Sequence, residues 1–393
     1  MSDTIAELRR QREEVQTRLA ARFGADSPEE VSQALNALHD RLIRRVLELA
    51  EQEMMRTGRG KPPVPYAYML FGSGGRAEQT FASDQDSGLI YADAADVARS
   101  ERNRTAMHGN ADCDCTFRDD FVARSERNRS AMPGIASSGC TFRDDFVARY
   151  IRAYFLALAE TAVGYLKQLG YPPCEGNVMA DQPAWCMPAS EWAAKVDGWF
   201  EEPSWENVRH LLIVADGRCL AGDRTLADGL KDRYFRHVAD RPAVASRMAE
   251  NTLRHKVLVG VFGQLLAERY GASAGTLDIK YGGYIPMVNA VRLLAVRSGI
   301  RATGTLDRIA ALAQAGVWSA AEAAEAREAF AEFLRLRLLA SAPREDGSLP
   351  SGGQLPVRLL AREDVDRLKK ALRTGKKLQR RIERETRAGF GGR

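Results

Sequence analysis

The sequence predicts an α+β protein in which a small mixed sheet lies between an N-terminal helical segment and a C-terminal all-helical domain. Apolar residues recur at helical spacing between residues 3 and 57, and the pattern is again helical almost throughout from about residue 226. Two apolar runs of strand length lie between these regions, at residues 66–71 and 87–91. We therefore expect three units, namely residues 1–60, 61–225 and 226–393.

Composition excludes several classes of protein. A chain of 393 residues with 45% hydrophobic residues is long enough for two or three domains with sizeable cores. Its net charge of +5 is spread over many acids and bases, and does not by itself indicate a nucleic-acid partner. Basic residues crowd the C-terminus between Lys369 and Arg387, a pattern typical of a solvated helix face.

Several features favour the cytoplasm. The first residues are charged and lack the apolar core of a signal peptide. The longest apolar stretch, Val257–Ala267, is too short to span a bilayer, so no membrane partner is expected. Six cysteines in a chain of this length fit a reducing compartment better than a disulfide scaffold.

The order of elements follows from local signals. Prolines 62, 63 and 65 end the N-terminal helices, and the first strand stops at Gly72. A long amphipathic helix is predicted at about residues 149–169, followed by a tryptophan-rich helical piece. The apolar run at 211–215 is interpreted as a strand that ends at Asp216, and residues 271–284 interrupt the C-terminal helices.

Residues 98–122 and 123–147 form a tandem duplication with a period of 25 residues. Two units are too few for a solenoid, so we interpret the second unit as a duplication that lengthens a loop and a helix start. The first unit contains a group of potential metal ligands, namely His108, Asp112, Cys113 and Cys115. The second unit lacks most of these groups, so we do not expect a metal there.

The first strand runs into Gly72-Ser73-Gly74-Gly75. Small residues let backbone N–H groups approach a phosphate closely. A short helix that starts at this point would direct its positive end at the same anion. The turn therefore indicates a phosphate-binding site.

Asp84 and Asp86 lead into the second strand. Residues two apart on a strand face the same side, so both carboxylates project together. Two such charges repel by roughly 4 kcal/mol at about 4 Å and an effective dielectric of about 20. Water or a divalent cation between them relieves this repulsion, and magnesium typically takes one or two carboxylates plus substrate phosphates.

Three alternatives compete with this interpretation. Gly72, Gly74 and Ala77 satisfy a dinucleotide-binding pattern, with Asp93 downstream, but too few residues remain for the crossover helix between parallel strands. A Walker A loop is excluded, because no Gly-Lys-Ser/Thr follows the glycines. The third alternative is a polar loop with two surface aspartates.

The string GSGGRAEQTFASDQDSGLIY resembles the signature of the polymerase β-like nucleotidyltransferase superfamily. It resembles more closely a bacterial nucleotidyltransferase family labelled a domain of unknown function, often fused to CBS or cyclic-nucleotide-binding modules and related to the N-terminal part of PII uridylyltransferase. The resemblance continues through residues 173–180, 216–223, 277–283 and 303–308, and covers most of residues 40–385.

The resemblance implies roles for particular residues. Ser73, with the backbone of Gly72 and Gly74, is expected to contact a nucleoside triphosphate, and Asp84 and Asp86 are expected to bind Mg²⁺ or Mn²⁺.

Three more residues receive roles from the same resemblance. Asp216 is expected to supply the third carboxylate, as a metal ligand or as the base for the acceptor hydroxyl. Arg76 is a candidate phosphate clamp, with a surface arginine as the alternative, and Lys280 is a candidate nucleotide contact. The chain departs from the family at this point, with Ala215 and Gly217 where the family has bulky apolar residues.

The implied activity is magnesium-dependent transfer of a nucleoside monophosphate to an acceptor hydroxyl, with release of pyrophosphate. The likeness to PII uridylyltransferase implies a regulatory protein as the acceptor and a role in signal transduction. A small molecule or an RNA end remains an alternative acceptor, although nucleic acid is not the expected partner. The alternative function is a nucleotide-binding regulatory module without turnover.

Overall fold

The N-terminal region consists of two helices, as predicted. A computed structural model describes residues 4–23, 25–94, 139–255, 257–260, 264–266, 275–343 and 353–390. Helix α1 spans Ile5–Arg22 and helix α2 spans Pro28–Arg56. At the start of α2, Ser27 accepts a hydrogen bond from the Glu30 N–H, and the Glu30 carboxylate accepts one from the Ser27 N–H. This capping box fixes where α2 begins.

The central sheet is mixed, which confirms the predicted fold class. Its strands are β1 (Tyr66–Leu70), β2 (Ser87–Tyr91), β3 (Cys186–Pro188) and β4 (Arg218–Gly222). They lie in the order β3-β2-β1-β4. β1 is antiparallel to both β2 and β4, and β2 is parallel to β3. The antiparallel pairing of β1 with β2 rules out the dinucleotide-binding alternative, which needs parallel strands.

Both faces of the sheet are buried. Alternate residues of β1 enter different hydrophobic cores: Tyr66, Tyr68 and Leu70 pack with the N-terminal helices, whereas Ala67 and Met69 pack with helices that follow β3. This alternation follows from the period of two along a strand. The sheet therefore lies between two helical layers.

Three helices flank the sheet after β2. They are α4 (Gly139–Gln168), α5 (Ala189–Glu201) and α6 (Trp205–Val214); the four-residue helix α3 (Gly72–Gly75) precedes them. The strand predicted at residues 211–215 was wrong, because these residues end α6. Ser204 caps α6, and one face of the helix carries the buried residues Val208, Leu211 and Leu212. A short apolar run does not distinguish a buried helix turn from a strand.

The C-terminal region is mainly helical, as predicted. Its helices are α7 (Arg224–Asp240), α8 (Pro242–Thr252), α9 (Ile285–Arg297), α10 (Thr305–Gln314), α11 (Ala320–Ser341) and α12 (Arg362–Phe390). Between α8 and α9 lie strand β5 (Thr276–Asp278) and a π-helix at Lys280–Tyr284. Strand β6 (Gln354–Pro356) lies between α11 and α12 and pairs with β5 in antiparallel orientation. None of the helices in the described ranges combines the length and hydrophobicity that a membrane span requires.

Most of the tandem duplication, and with it the group around Cys113, lies outside the described residues. The end of the second unit falls within α4, which agrees with the predicted helix start.

Candidate functional site

The glycine turn forms where β1 ends. Phe71 is extended, and the next four residues form α3. Gly72 has a φ of +51°, and a Cβ built on it would lie 1.9 Å from Asp86 Oδ2. A Cβ on Gly75 would lie 2.1 Å from the Asp216 carbonyl oxygen. Both positions therefore require glycine, one because of the conformation and the Asp86 carboxylate, the other because the Asp216 backbone approaches closely.

The turn leaves donors free for an anion. The N–H groups of Gly72, Ser73 and Gly74 lie in the first turn of α3, where a helix offers no internal acceptor. Arg218 holds the turn in place, since its Nη2 donates to the Gly74 carbonyl oxygen at 2.9 Å. The same guanidinium donates two hydrogen bonds to the Asp40 carboxylate, at 2.8 and 2.9 Å. The backbone of the predicted phosphate site is thus anchored to α2 and β4.

Asp84 and Asp86 lie on the same side of the segment that enters β2. Both side chains are partly exposed, whereas the alternate residues Ser83, Gln85 and Ser87 are buried. The Asp86 carbonyl oxygen accepts the Phe71 N–H at 2.9 Å, which pairs this segment with the end of β1. Burial, and then the charge of Asp84, raise the pKa of the Asp86 carboxyl above its usual range. A cation between the two carboxylates would remove that electrostatic penalty.

Cys174 completes a cluster that the sequence did not predict. Ligand atoms of Asp84, Asp86 and Cys174 all lie within 4.8 Å of one another. Burial, and then the Asp86 charge and hydrogen bond, raise the pKa of the Cys174 thiol to about 12. The two carboxylates fit the Mg²⁺ or Mn²⁺ that the sequence predicts, whereas a sulfur ligand suits softer divalent cations.

Lys280 approaches this cluster from the C-terminal region. It is the first residue of the π-helix, and its charge, like that of Arg76, opposes the rise in the pKa of Asp86. Its Nζ also lies 5.3 Å from the ring centroid of Tyr281, which is exposed and stacks on His255. Lys280 therefore contributes positive charge near Asp86, and its contact with a nucleotide stays a prediction.

Asp216 has different surroundings from the other two aspartates. It lies in the turn between α6 and β4, and its side chain is completely buried. Its carboxylate accepts hydrogen bonds from Arg76 at 2.6 Å, from Arg292 at 2.7 Å and from Arg308 at 2.7 Å. Burial acts to raise the pKa of Asp216, but these three guanidinium groups outweigh it and hold the pKa well below its usual range.

This geometry does not favour the metal-ligand or base role predicted for Asp216. The structure brings Asp84, Asp86 and Cys174 into one cluster and leaves Asp216 out of it. A metal at Asp216 would have to displace an arginine, and a carboxylate with such a low pKa is a weak proton acceptor.

Arg76 is also held by internal partners. Besides Asp216, it donates from Nε to Glu78 at 2.9 Å and from Nη2 to the Tyr284 hydroxyl at 3.2 Å. The Glu78 carboxylate also accepts hydrogen bonds from the Tyr284 hydroxyl and, at 2.7 Å, from the Thr305 N–H. With 6% of its surface exposed, Arg76 is not the surface arginine of the alternative interpretation, and its three guanidinium nitrogens all have internal partners.

We call Arg76, Glu78, Asp216, Arg292 and Arg308 the buried ion cluster. Its two acids and Arg76 come from the first 216 residues, whereas Arg292 and Arg308 come from α9 and α10. The cluster therefore ties the glycine turn to the C-terminal helices. Sequence spacing gave no signal for it, since the partners of Asp216 are 76 to 140 residues away along the chain.

Two family models match the chain. Residues 10–113 and 142–206 match "Putative nucleotidyltransferase DUF294", and residues 242–386 match "Putative nucleotidyltransferase substrate binding domain". The chain belongs to this nucleotidyltransferase family. No curated protein was found to match it.

The two matched ranges of the DUF294 family cover different residues of the site. The glycine turn, the carboxylate pair and Cys174 lie within the nucleotidyltransferase match, and Lys280, Arg292 and Arg308 lie within the substrate-binding match. Asp216 lies between the two ranges. The interruption of the first match at residues 114–141 falls inside the tandem duplication, which agrees with the interpretation that one unit is additional to the family's pattern.

Proposed function

We propose that this member of the DUF294 family transfers a nucleoside monophosphate from a nucleoside triphosphate to an acceptor hydroxyl, with release of pyrophosphate. The observation that carries the proposal is the Asp84–Asp86 pair, which faces the same side and packs directly against the glycine turn at Gly72. Carboxylates for a divalent cation and N–H groups for a phosphate are thereby adjacent, as a metal–triphosphate substrate requires.

Each group in the site has a distinct task. Asp84 and Asp86 would hold Mg²⁺ or Mn²⁺, which when bound neutralises the negative charge that develops on the phosphates. Ser73 and the first N–H groups of α3 would bind phosphate oxygens, and Arg218 keeps that turn fixed. Lys280 would neutralise further phosphate charge from the C-terminal side.

We propose that Asp216 and Arg76 act on the site indirectly. The Asp216 backbone packs on Gly75, and its side chain holds Arg76, the residue directly after α3. Both would therefore position the glycine turn against the substrate-binding domain. Their loss should impair activity through misplacement of the turn.

The acceptor is proposed to be a hydroxyl on a regulatory protein in the cytoplasm. The sequence resemblance to PII uridylyltransferase supports a protein acceptor, and the match to a substrate-binding domain supports a role for residues 242–386 in recognising it. Three cysteines among the described residues, Cys174, Cys186 and Cys219, are free thiols, which is consistent with a reducing compartment.

Labelling in a cell lysate tests this function. The protein would be incubated with Mg²⁺ and each of the four nucleoside triphosphates in turn, labelled at the α-phosphate, together with lysate. We expect one triphosphate to label a lysate component, with matching pyrophosphate release. Tight binding of a triphosphate without pyrophosphate release would instead support the regulatory module without turnover.

A further inference from the structure

We propose that Cys174 is a third ligand of the metal at Asp84 and Asp86, and that its sulfur makes this site prefer thiophilic cations such as Co²⁺, Zn²⁺ or Cd²⁺ over Mg²⁺. The inference rests on the proposed metal role of the two carboxylates. It adds a residue from a separate segment of the chain and a prediction about which cations the site accepts.

Three potential metal ligands converge at this point. The Cys174 sulfur and one oxygen of each carboxylate lie within 4.8 Å of one another. Zinc–sulfur bonds of about 2.3 Å and zinc–oxygen bonds of about 2.1 Å at a tetrahedral angle put donor atoms about 3.6 Å apart. The three donors therefore need only a small contraction to surround one ion.

Hydrogen bonds also hold the segment that carries Cys174 against the strand that follows Asp86. Ser87, the residue after Asp86, donates its N–H to the Val178 carbonyl oxygen at 2.9 Å, and its hydroxyl accepts the Ala180 N–H at 3.1 Å. Within the loop, the Asn177 N–H donates to the Cys174 carbonyl oxygen at 3.1 Å. The thiol is thus held at a fixed place relative to the carboxylates, as a ligand must be.

Two other cysteines whose side chains are described lack this setting. Cys186 lies in β3 and packs in the core beside the N-terminal helices, and Cys219 lies in β4. Neither belongs to a group of metal-ligating side chains within the described residues. Cys219 is half-buried and lies in β4 of the same sheet, so it provides a matched control.

Coordination chemistry gives the selectivity. Sulfur ligands favour zinc, cobalt and other thiophilic ions, whereas magnesium demands oxygen ligands and keeps several waters. On binding such an ion, Cys174 exchanges its S–H bond for a sulfur–metal bond, and the proton passes to solvent. Magnesium would bind the two carboxylates and leave the thiol protonated and hydrogen-bonded to Asp86.

Metal titrations of the full-length protein test the proposal. Co²⁺ is added to the wild type, Cys174→Ser, Cys219→Ser and Asp84→Asn while thiolate-to-cobalt charge-transfer absorption is recorded in the near ultraviolet. Mg²⁺ affinity is measured separately by calorimetry. The other five of the six cysteines are unchanged in Cys174→Ser, so its difference from the wild type isolates this sulfur.

We expect Cys174→Ser to lose the charge-transfer signal of one thiolate and at least about tenfold in Co²⁺ affinity, with Mg²⁺ affinity within a few-fold of wild type. Cys219→Ser should match the wild type. An unchanged cobalt spectrum in Cys174→Ser would overturn the inference and leave Cys174 as a hydrogen-bond partner of Asp86. The proposed function fails separately if Asp84→Asn leaves the affinities for both metals unchanged.

Discussion

Replacement of Asp216 by Asn is expected to destabilise the fold strongly. The wild-type carboxylate is fully buried and accepts three charge-assisted hydrogen bonds of 2.6–2.7 Å. Asn offers one acceptor oxygen, turns an NH₂ group toward a guanidinium, and leaves the charges of Arg292 and Arg308 without their carboxylate. Removing one partner of a buried ion pair costs about 3–5 kcal/mol, which corresponds to a fall of about 4–6 °C in Tm for unfolding of the 393-residue chain as one unit.

The assay is denaturant and thermal unfolding of the wild type and Asp216→Asn between pH 3 and pH 8. The folded-state pKa of Asp216 lies below its unfolded value of about 3.9, so its stabilisation is fully present above that value and is lost as the pH falls toward the folded-state pKa. The difference in free energy of unfolding should therefore stay constant from about pH 5 to pH 8 and shrink below about pH 4.

The matched control is Asp228→Asn, which removes an exposed carboxylate that pairs with Arg224 at 3.2 Å. Exposed pairs contribute at most about 1 kcal/mol, so this variant should unfold almost like the wild type. If Asp216 were instead a metal ligand or base, Asp216→Asn would keep its Tm and lose metal affinity or turnover. That result would refute the structural role assigned to the buried ion cluster.

Three further predictions concern the metal ligands, Lys280 and the duplicated segment. Asp84→Asn and Asp86→Asn should each remove nearly all transfer activity, because each removes a proposed metal ligand. Each should also raise Tm slightly, because the repulsion between the two carboxylates is relieved. A variant that keeps more than about a tenth of the wild-type rate contradicts the metal assignment. Lys280→Met should weaken triphosphate binding several-fold in calorimetry with little effect on Mg²⁺ alone, and unchanged binding would remove Lys280 from the site. Deletion of residues 98–122 should preserve the circular dichroism spectrum and magnesium-dependent nucleotide binding, and loss of either would show that this unit is required.

Much of the site could be predicted from the sequence because its signals are local. Gly72 and Asp86 belong to one strand–turn–strand unit, in which the period of two along a strand and the small size of glycine determine the arrangement. The strands at residues 66–71 and 87–91 were predicted for the same reason and are confirmed.

The parts that sequence reasoning missed depend on tertiary contacts. Cys174 joins the carboxylates from a loop far along the chain, and the partners of Asp216 come from α9 and α10. An aspartate after an apolar run has the same local pattern whether it faces a metal or three arginines. The run at residues 211–215 was assigned to a strand because five apolar residues show no period that separates a strand from a buried helix turn.

The most direct test of nucleotidyl transfer is pyrophosphate release in the presence of lysate and the preferred triphosphate, compared between the wild type and the Asp84→Asn/Asp86→Asn double variant. The wild type should release pyrophosphate in step with acceptor labelling and only when a divalent cation is present, and the double variant should release none above background. Equal pyrophosphate release by the two proteins, or no release by a wild type that binds the triphosphate, would contradict the proposed function.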